Sequence, residues 1–202
     1  MAHAPPDDNE TGARAALAAA VEQQTDEALR AWAATGRSGL AILGNLLRGA
    51  EREPWRDVHP RDEIDGLADA VAAIAARHPA AFLEIFSDAR FASDINVLVG
   101  LSWIDDPEAT RRLLAAADAP NPWVRQQAII GLGRRRHADA QAALVRAIGD
   151  TEYLVRYHAL VGLAAVGTPD ALVDLRAFVG RSDYERELAT TAIGRIEGRG
   201  GR

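Results

Sequence analysis

The sequence predicts an all-α fold of stacked helical repeats, and three observations carry the prediction. First, one unit is written twice: Pro122-Trp123-Val124-Arg125-Gln126-Gln127-Ala128 returns as Tyr153-Leu154-Val155-Arg156-Tyr157-His158-Ala159, a step of 31 residues. Self-similarity at a period of this size marks a repeat architecture. Second, the chain is 48% hydrophobic but only 5% aromatic, so its apolar part is mostly Ala, Leu, Val and Ile. An alanine- and leucine-rich composition favours helix. Third, apolar residues recur three and four apart, and nowhere alternate with period two over a useful length.

In chain order, residues 1–11 are polar, with two prolines and several acids, and read as a disordered lead. An apolar ladder at helical spacing follows: Ala13, Leu17, Val21, Ala28, Leu29 and Trp32. Thr35-Gly36 and Ser38-Gly39 interrupt it. The next helix carries Leu40, Leu43 and Leu47, and a loop marked by Pro54 and Pro60 follows it. A third helix has the stripe Ile64, Leu67, Val71 and Ile74, whose spacing belongs to a core-facing surface. His78-Pro79 turns the chain into a short helix with Phe82, Ile85 and Phe86. Ser93 is placed to cap a helix running from Ile95 to Ile104. Asp106-Pro107, Asn121-Pro122 and Thr168-Pro169 each put a capping residue before proline, a helix-start signal. Ser182 and Glu185 match the capping-box pattern, and the last helix runs to Ile196. The expected organisation is a lead at 1–11, one repeat domain at 12–196 and a flexible tail at 197–202. Within the domain, 12–90 is divergent and 91–196 is clearly repeated.

Weaker copies flank the central pair. Gly100-Leu101 stands one step before Gly131-Leu132, and Arg186, Ala189, Ala192 and Ile193 follow Arg156, Ala159, Gly162 and Leu163 at a step of 30. Glycine inside a helix costs about 1 kcal/mol against alanine. Its recurrence at Gly100, Gly131 and Gly162 therefore implies close helix packing.

The recurring V-R-x-x-A-x-x-G-L pattern resembles the short HEAT-like repeats, including the variant found in phycobilisome lyase proteins. The resemblance implies antiparallel helix pairs stacked into a right-handed α-solenoid. It also implies that Arg125, Arg156 and Arg186 tie repeats together by bonding an acid or a carbonyl in the preceding turn, with Asp118 and Asp150 as candidate acids for the first two; anion binding is the alternative role for these arginines. In a solenoid the second helices line the concave surface, the usual binding face.

With Val124, Ala128 and Leu132 facing the core, the other side of their helix presents Gln126, Gln127, Ile130 and Arg134. Repeat spacing turns these into columns, and their mix of apolar, aromatic and polar groups suits a protein or peptide. The candidate partner-binding residues are Trp103, Ile130, Arg134, Tyr157, His158 and Val161. Arg134-Arg135-Arg136-His137 is a basic corner, read as a solvated turn or as a seat for an acidic partner.

Catalytic chemistry finds no foothold in the sequence. There is no cysteine, H-E-x-x-H, G-x-S-x-G, P-loop or G-x-G-x-x-G. No metal or other cofactor is expected. No apolar run is long enough to span a bilayer, and a cytoplasmic location is expected. The formal charge of −6 opposes a nucleic-acid backbone as the main partner. The leading expectation is a non-enzymatic interaction module. Two alternatives accompany the resemblance: a chromophore-handling subunit like the phycobilin lyases, and a DNA-binding or repair protein built on HEAT-like repeats.

Overall fold

The computed structural model describes residues 8–23, 26–36, 38, 39, 42 and 71–200. The segment assigned to the Leu40–Leu47 helix, the loop with Pro54 and Pro60, and the Ile64–Leu67 part of the third helix fall almost entirely outside these residues. Among the described residues all regular structure is helical, and the fold is an all-α solenoid of helix pairs. The chain divides into two compact units, residues 1–104 and 105–202. The division lies within the stretch that reads as clearly repeated.

In the first unit, α1 (Asp8–Gln23) packs on α2 (Asp26–Ala34). The ladder that begins at Ala13 is thus carried by two helices, and α1 starts at Asp8, inside the expected lead. Ala13, Leu17, Ala28 and Trp32 are buried, as their spacing requires. Gly36, at φ +57°, follows α2 in the left-handed region that favours glycine. Residues 71–77 are helical and bury Val71 and Ile74. Then come α3 (Pro79–Ile85), a 3₁₀ turn at Ala89–Phe91 and α4 (Ile95–Ser102). The cap of α4 is Asp94 rather than Ser93: its carboxylate accepts the amides of Asn96 and Val97. The helix also stops at Ser102, short of Ile104. Phe82, Phe86 and Phe91 form one ring cluster, with centroids 4.6 and 5.0 Å apart.

In the second unit, first helices alternate with second helices. The first helices are α5 (Pro107–Ala116), α7 (Ala138–Ala147) and the short α9 (Leu172–Ala177), which follows a 3₁₀ turn at Pro169–Ala171. The second helices are α6 (Pro122–Leu132), α8 (Tyr153–Val166) and α10 (Asp183–Gly200). α8 lies between α6 and α10, and α7 packs beneath α6 and α8.

Asp106 and Asn121 cap their helices through their side chains, with proline at the first helical position. Thr168 departs from this device. Its side chain makes no cap, and its amide is taken by the side-chain oxygen of Gln141 at 2.7 Å. α10 runs past Ile196 to Gly200, into the expected tail. There Arg199 donates to the carbonyls of Ala164, Ala165 and Gly167 at the end of α8.

Two of the repeated glycines sit at close contacts. A β-carbon on Gly100 would clash with the Phe82 ring. One on Gly162 would meet Gly133 Cα and Leu144 Cδ2, each at 3.0 Å. At Gly162 the neighbour is backbone, so helix and turn approach as closely as main chains allow.

Candidate functional site

The repeat arginines are the polar skeleton of the second unit. Arg125 donates from Nε and Nη2 to both carboxylate oxygens of Asp150, each at 2.8 Å. Its Nη1 reaches the Ala119 and Pro120 carbonyls, six and five residues back. Arg156 repeats the arrangement one unit on. It donates to Glu185 Oε1 at 3.0 and 2.6 Å and to the carbonyls of Asp150 and Thr151. Arg186 keeps the Gly180 carbonyl and pairs with Asp183.

Each interior arginine therefore holds the turn before its own helix and an acid of the next repeat. Of the acid or carbonyl expected in the preceding turn, Arg125 takes carbonyls, and its candidate acid is corrected: Asp118 instead faces Arg146 at 3.9 Å. Asp150 stands in the turn before Arg156, as expected, but gives that arginine its backbone carbonyl and its carboxylate to Arg125. The acids have local duties too. Asp150 accepts the Glu152 amide, and Glu185 Oε2 accepts the Arg181 amide while Ser182 Oγ accepts that of Glu185. The serine half of the capping box keeps its usual register, while Glu185 takes the amide one residue earlier through Oε2 and accepts Arg156 at Oε1.

The charges are tuned accordingly. The hydrogen bond from Arg125 holds the Asp150 carboxyl below its ordinary value. Burial opposes ionisation of Glu185, but hydrogen bonds from Arg156 and the Arg181 amide outweigh it and leave this carboxyl lowered.

The basic corner is also changed. Arg134 and Arg136 are exposed, but Arg135 is buried, donating to Thr110 Oγ1 at 3.0 Å and to the Gly131 carbonyl at 2.6 Å. It is a structural strut and no part of a solvated turn. His137 accepts the Asp139 amide at the start of α7.

Of the six candidate residues, Trp103 follows α4 in the first unit and is exposed. The other five belong to the second unit. Ile130 on α6 is half-buried, and Arg134 just beyond that helix is exposed. Tyr157 and His158 on α8 are half-buried, and Val161 is 40% exposed. Val124, Ala128 and Leu132 are buried on the opposite side, so the face assignment within α6 is correct. Burial holds the His158 imidazole below its ordinary value.

Sequence reasoning missed Tyr153 and Tyr184. Tyr157 lies between them: its ring is 6.2 Å from Tyr153 and 6.3 Å from Tyr184, nearly parallel to the latter at 13°. His158 meets Tyr157 edge-on at 4.9 Å. The signal was present, because Tyr153 and Tyr157 are four apart on one helix face. Tyr184 also occupies the repeat position of Leu154 and Trp123, all three exposed.

A concavity of about 710 Å³ lies on the first-helix side between α7, the Pro169 turn and the end of α10. Arg136, Arg146 and Arg199 face Asp170 and Asp174 around it. Among the described residues no group of three or more His, Cys, Asp or Glu is placed to hold a metal ion. No described helix is long and apolar enough to cross a membrane.

This arrangement is that of an α-helical repeat protein, and comparison with known families agrees. Residues 110–194 match the family of HEAT repeats. Among solved structures the chain is similar to an engineered protein determined by the Northeast Structural Genomics Consortium, with 18% identity and a TM-score of 0.55, covering 96% of this chain and 93% of that one. At that identity the likeness concerns fold alone. No curated protein matches the chain.

Proposed function

We propose that the second unit is a non-enzymatic interaction module that holds a segment of a partner protein on the outward surface of α6, α8 and α10, the face expected to be concave. HEAT-type repeats commonly mediate protein–protein contacts, which supports this class. One observation carries the reading to this face: the repeat arginines are consumed inside the stack, while the strip of Ile130, Tyr157, His158 and Val161 stays accessible. Arg125 and Arg156, which would otherwise make a phosphate-binding stripe, are engaged with acids and carbonyls. A nucleic-acid partner is therefore disfavoured.

Such a surface works through a few apolar and aromatic anchors, with charged neighbours giving orientation. The test is affinity for a captured partner, with melting temperature followed in parallel. Tyr157→Ala and Ile130→Ala are each expected to weaken binding by roughly 1–3 kcal/mol. Asp174→Ala, on the exposed side of α9, is the control expected to be neutral. Gln141→Ala is unsuitable as a control, since Gln141 holds the Thr168 amide. Loss of binding in Asp174→Ala with none in Tyr157→Ala and Ile130→Ala would move the site to the first helices.

A further inference from the structure

The chain has three tyrosines, and all three are gathered at one place. Tyr153 and Tyr184 are 43% and 50% exposed, so the cluster is no part of the core. Aromatic side chains left this open offer apolar area to a partner, and their ring faces are electron-rich. The setting is acidic. Glu187 is near enough to Tyr184 to act on it electrostatically, and Glu152 immediately precedes Tyr153. The arginines at these helix starts are committed elsewhere: Arg125 to Asp150, Arg156 to Glu185, Arg181 to the Thr151 carbonyl, and Arg186 to Asp183 and the Gly180 carbonyl.

We propose that Tyr153, Tyr157 and Tyr184, with Glu187, seat an arginine side chain of a basic partner segment; this rests on the reading of the second helices as the binding face. A guanidinium is favoured over an ammonium because a flat cation stacks on an aromatic face, and the exposed rings of Tyr153 and Tyr184 offer such faces. Glu187 supplies the counter-charge. Ile130 and Val161 would then hold the apolar neighbours of that arginine.

With three tyrosines in the chain, selective ¹³C-tyrosine labelling reports on these rings alone. The probe is a Gly-Ser nonapeptide carrying two arginines, titrated at near-physiological salt. Its counterparts carry citrulline, the neutral isostere, or lysine. Saturable shifts of all three rings are expected with the arginine peptide and none with citrulline. Tyr157→Ala combined with Tyr184→Ala is expected to weaken arginine-peptide binding roughly 5- to 20-fold, and Glu187→Gln to weaken it by a smaller factor. Tyr184→Ala alone, at an exposed position, keeps the test independent of folding. Unmoved rings, or equal shifts with citrulline, would overturn the proposal, and equal affinity for the lysine peptide would overturn the choice of guanidinium. The two readings fail separately. If the rings do not move but Ile130→Ala still abolishes partner capture, the binding face stands and only its cationic ligand is wrong.

Discussion

The two joints of the second unit use the same arginine in different surroundings. At the first, between α6 and α8, Arg125 and Asp150 retain 15% and 13% of their side-chain exposure. At the second, between α8 and α10, Arg156 and Glu185 retain 5% and 1%. The carbonyl contacts are the same, six and five residues back in each. The acid differs: an aspartate in the turn before α8, and a glutamate in the first turn of α10. The repeat therefore prescribes the arginine and its grip on its own turn, and the neighbour supplies whichever carboxylate its helix start makes available. Burial decides how much depends on that carboxylate, because a desolvated charge without its partner is costly.

The largest expected effect tests that contrast. Glu185→Ala leaves a buried guanidinium unpaired and should destabilise by about 3–5 kcal/mol. Asp150→Ala, at the wetter joint, should cost less, on the order of 1–3 kcal/mol. Urea denaturation of both variants checks the order, and equal losses would mean that burial does not separate the joints.

The next effect is one of packing. Gly162→Leu adds a side chain against Gly133 and Leu144 and should destabilise by about 1–3 kcal/mol despite leucine's better helix propensity. Gly194 on α10 has open space where a β-carbon would stand, beyond the backbone of its own helix. Gly194→Ala should therefore raise stability, by up to about 1 kcal/mol. A higher melting temperature for Gly162→Leu would show that the close approach is not needed.

The smallest effect is that of pH, and it divides into two windows. The His158 imidazole is held low by burial, so on acidification the unfolded chain binds this proton first. Its contribution is complete above about pH 6.5 and is lost as pH falls toward the folded value. The lowered carboxyls of Asp150 and Glu185 act further down. Their contribution is complete above about pH 4–5 and is lost as pH falls through their folded values. Urea midpoints measured across both windows should fall in two steps, with His158→Gln removing the upper one. A single step unchanged in that variant would show that His158 takes no part.

The sequence by itself determined the helical class, the repeat step and several helix starts. These are local or periodic properties. Asp106 and Asn121 cap because an acceptor two residues before an open amide reaches it whatever lies around the helix. The core face of α6 follows from spacing for the same reason. Only the tertiary structure decided the rest, because those choices depend on where a later helix lands. Arg125 finds its acid 25 residues on and Arg156 finds its own 29 residues on, so no fixed offset identifies them. Arg135 reads as surface in a basic run, yet it is buried because Thr110 and the Gly131 carbonyl offer it partners. Tyr184 joins Tyr157 because α10 packs beside α8, and a side chain's neighbours across a helix interface are set by packing rather than by position in the chain.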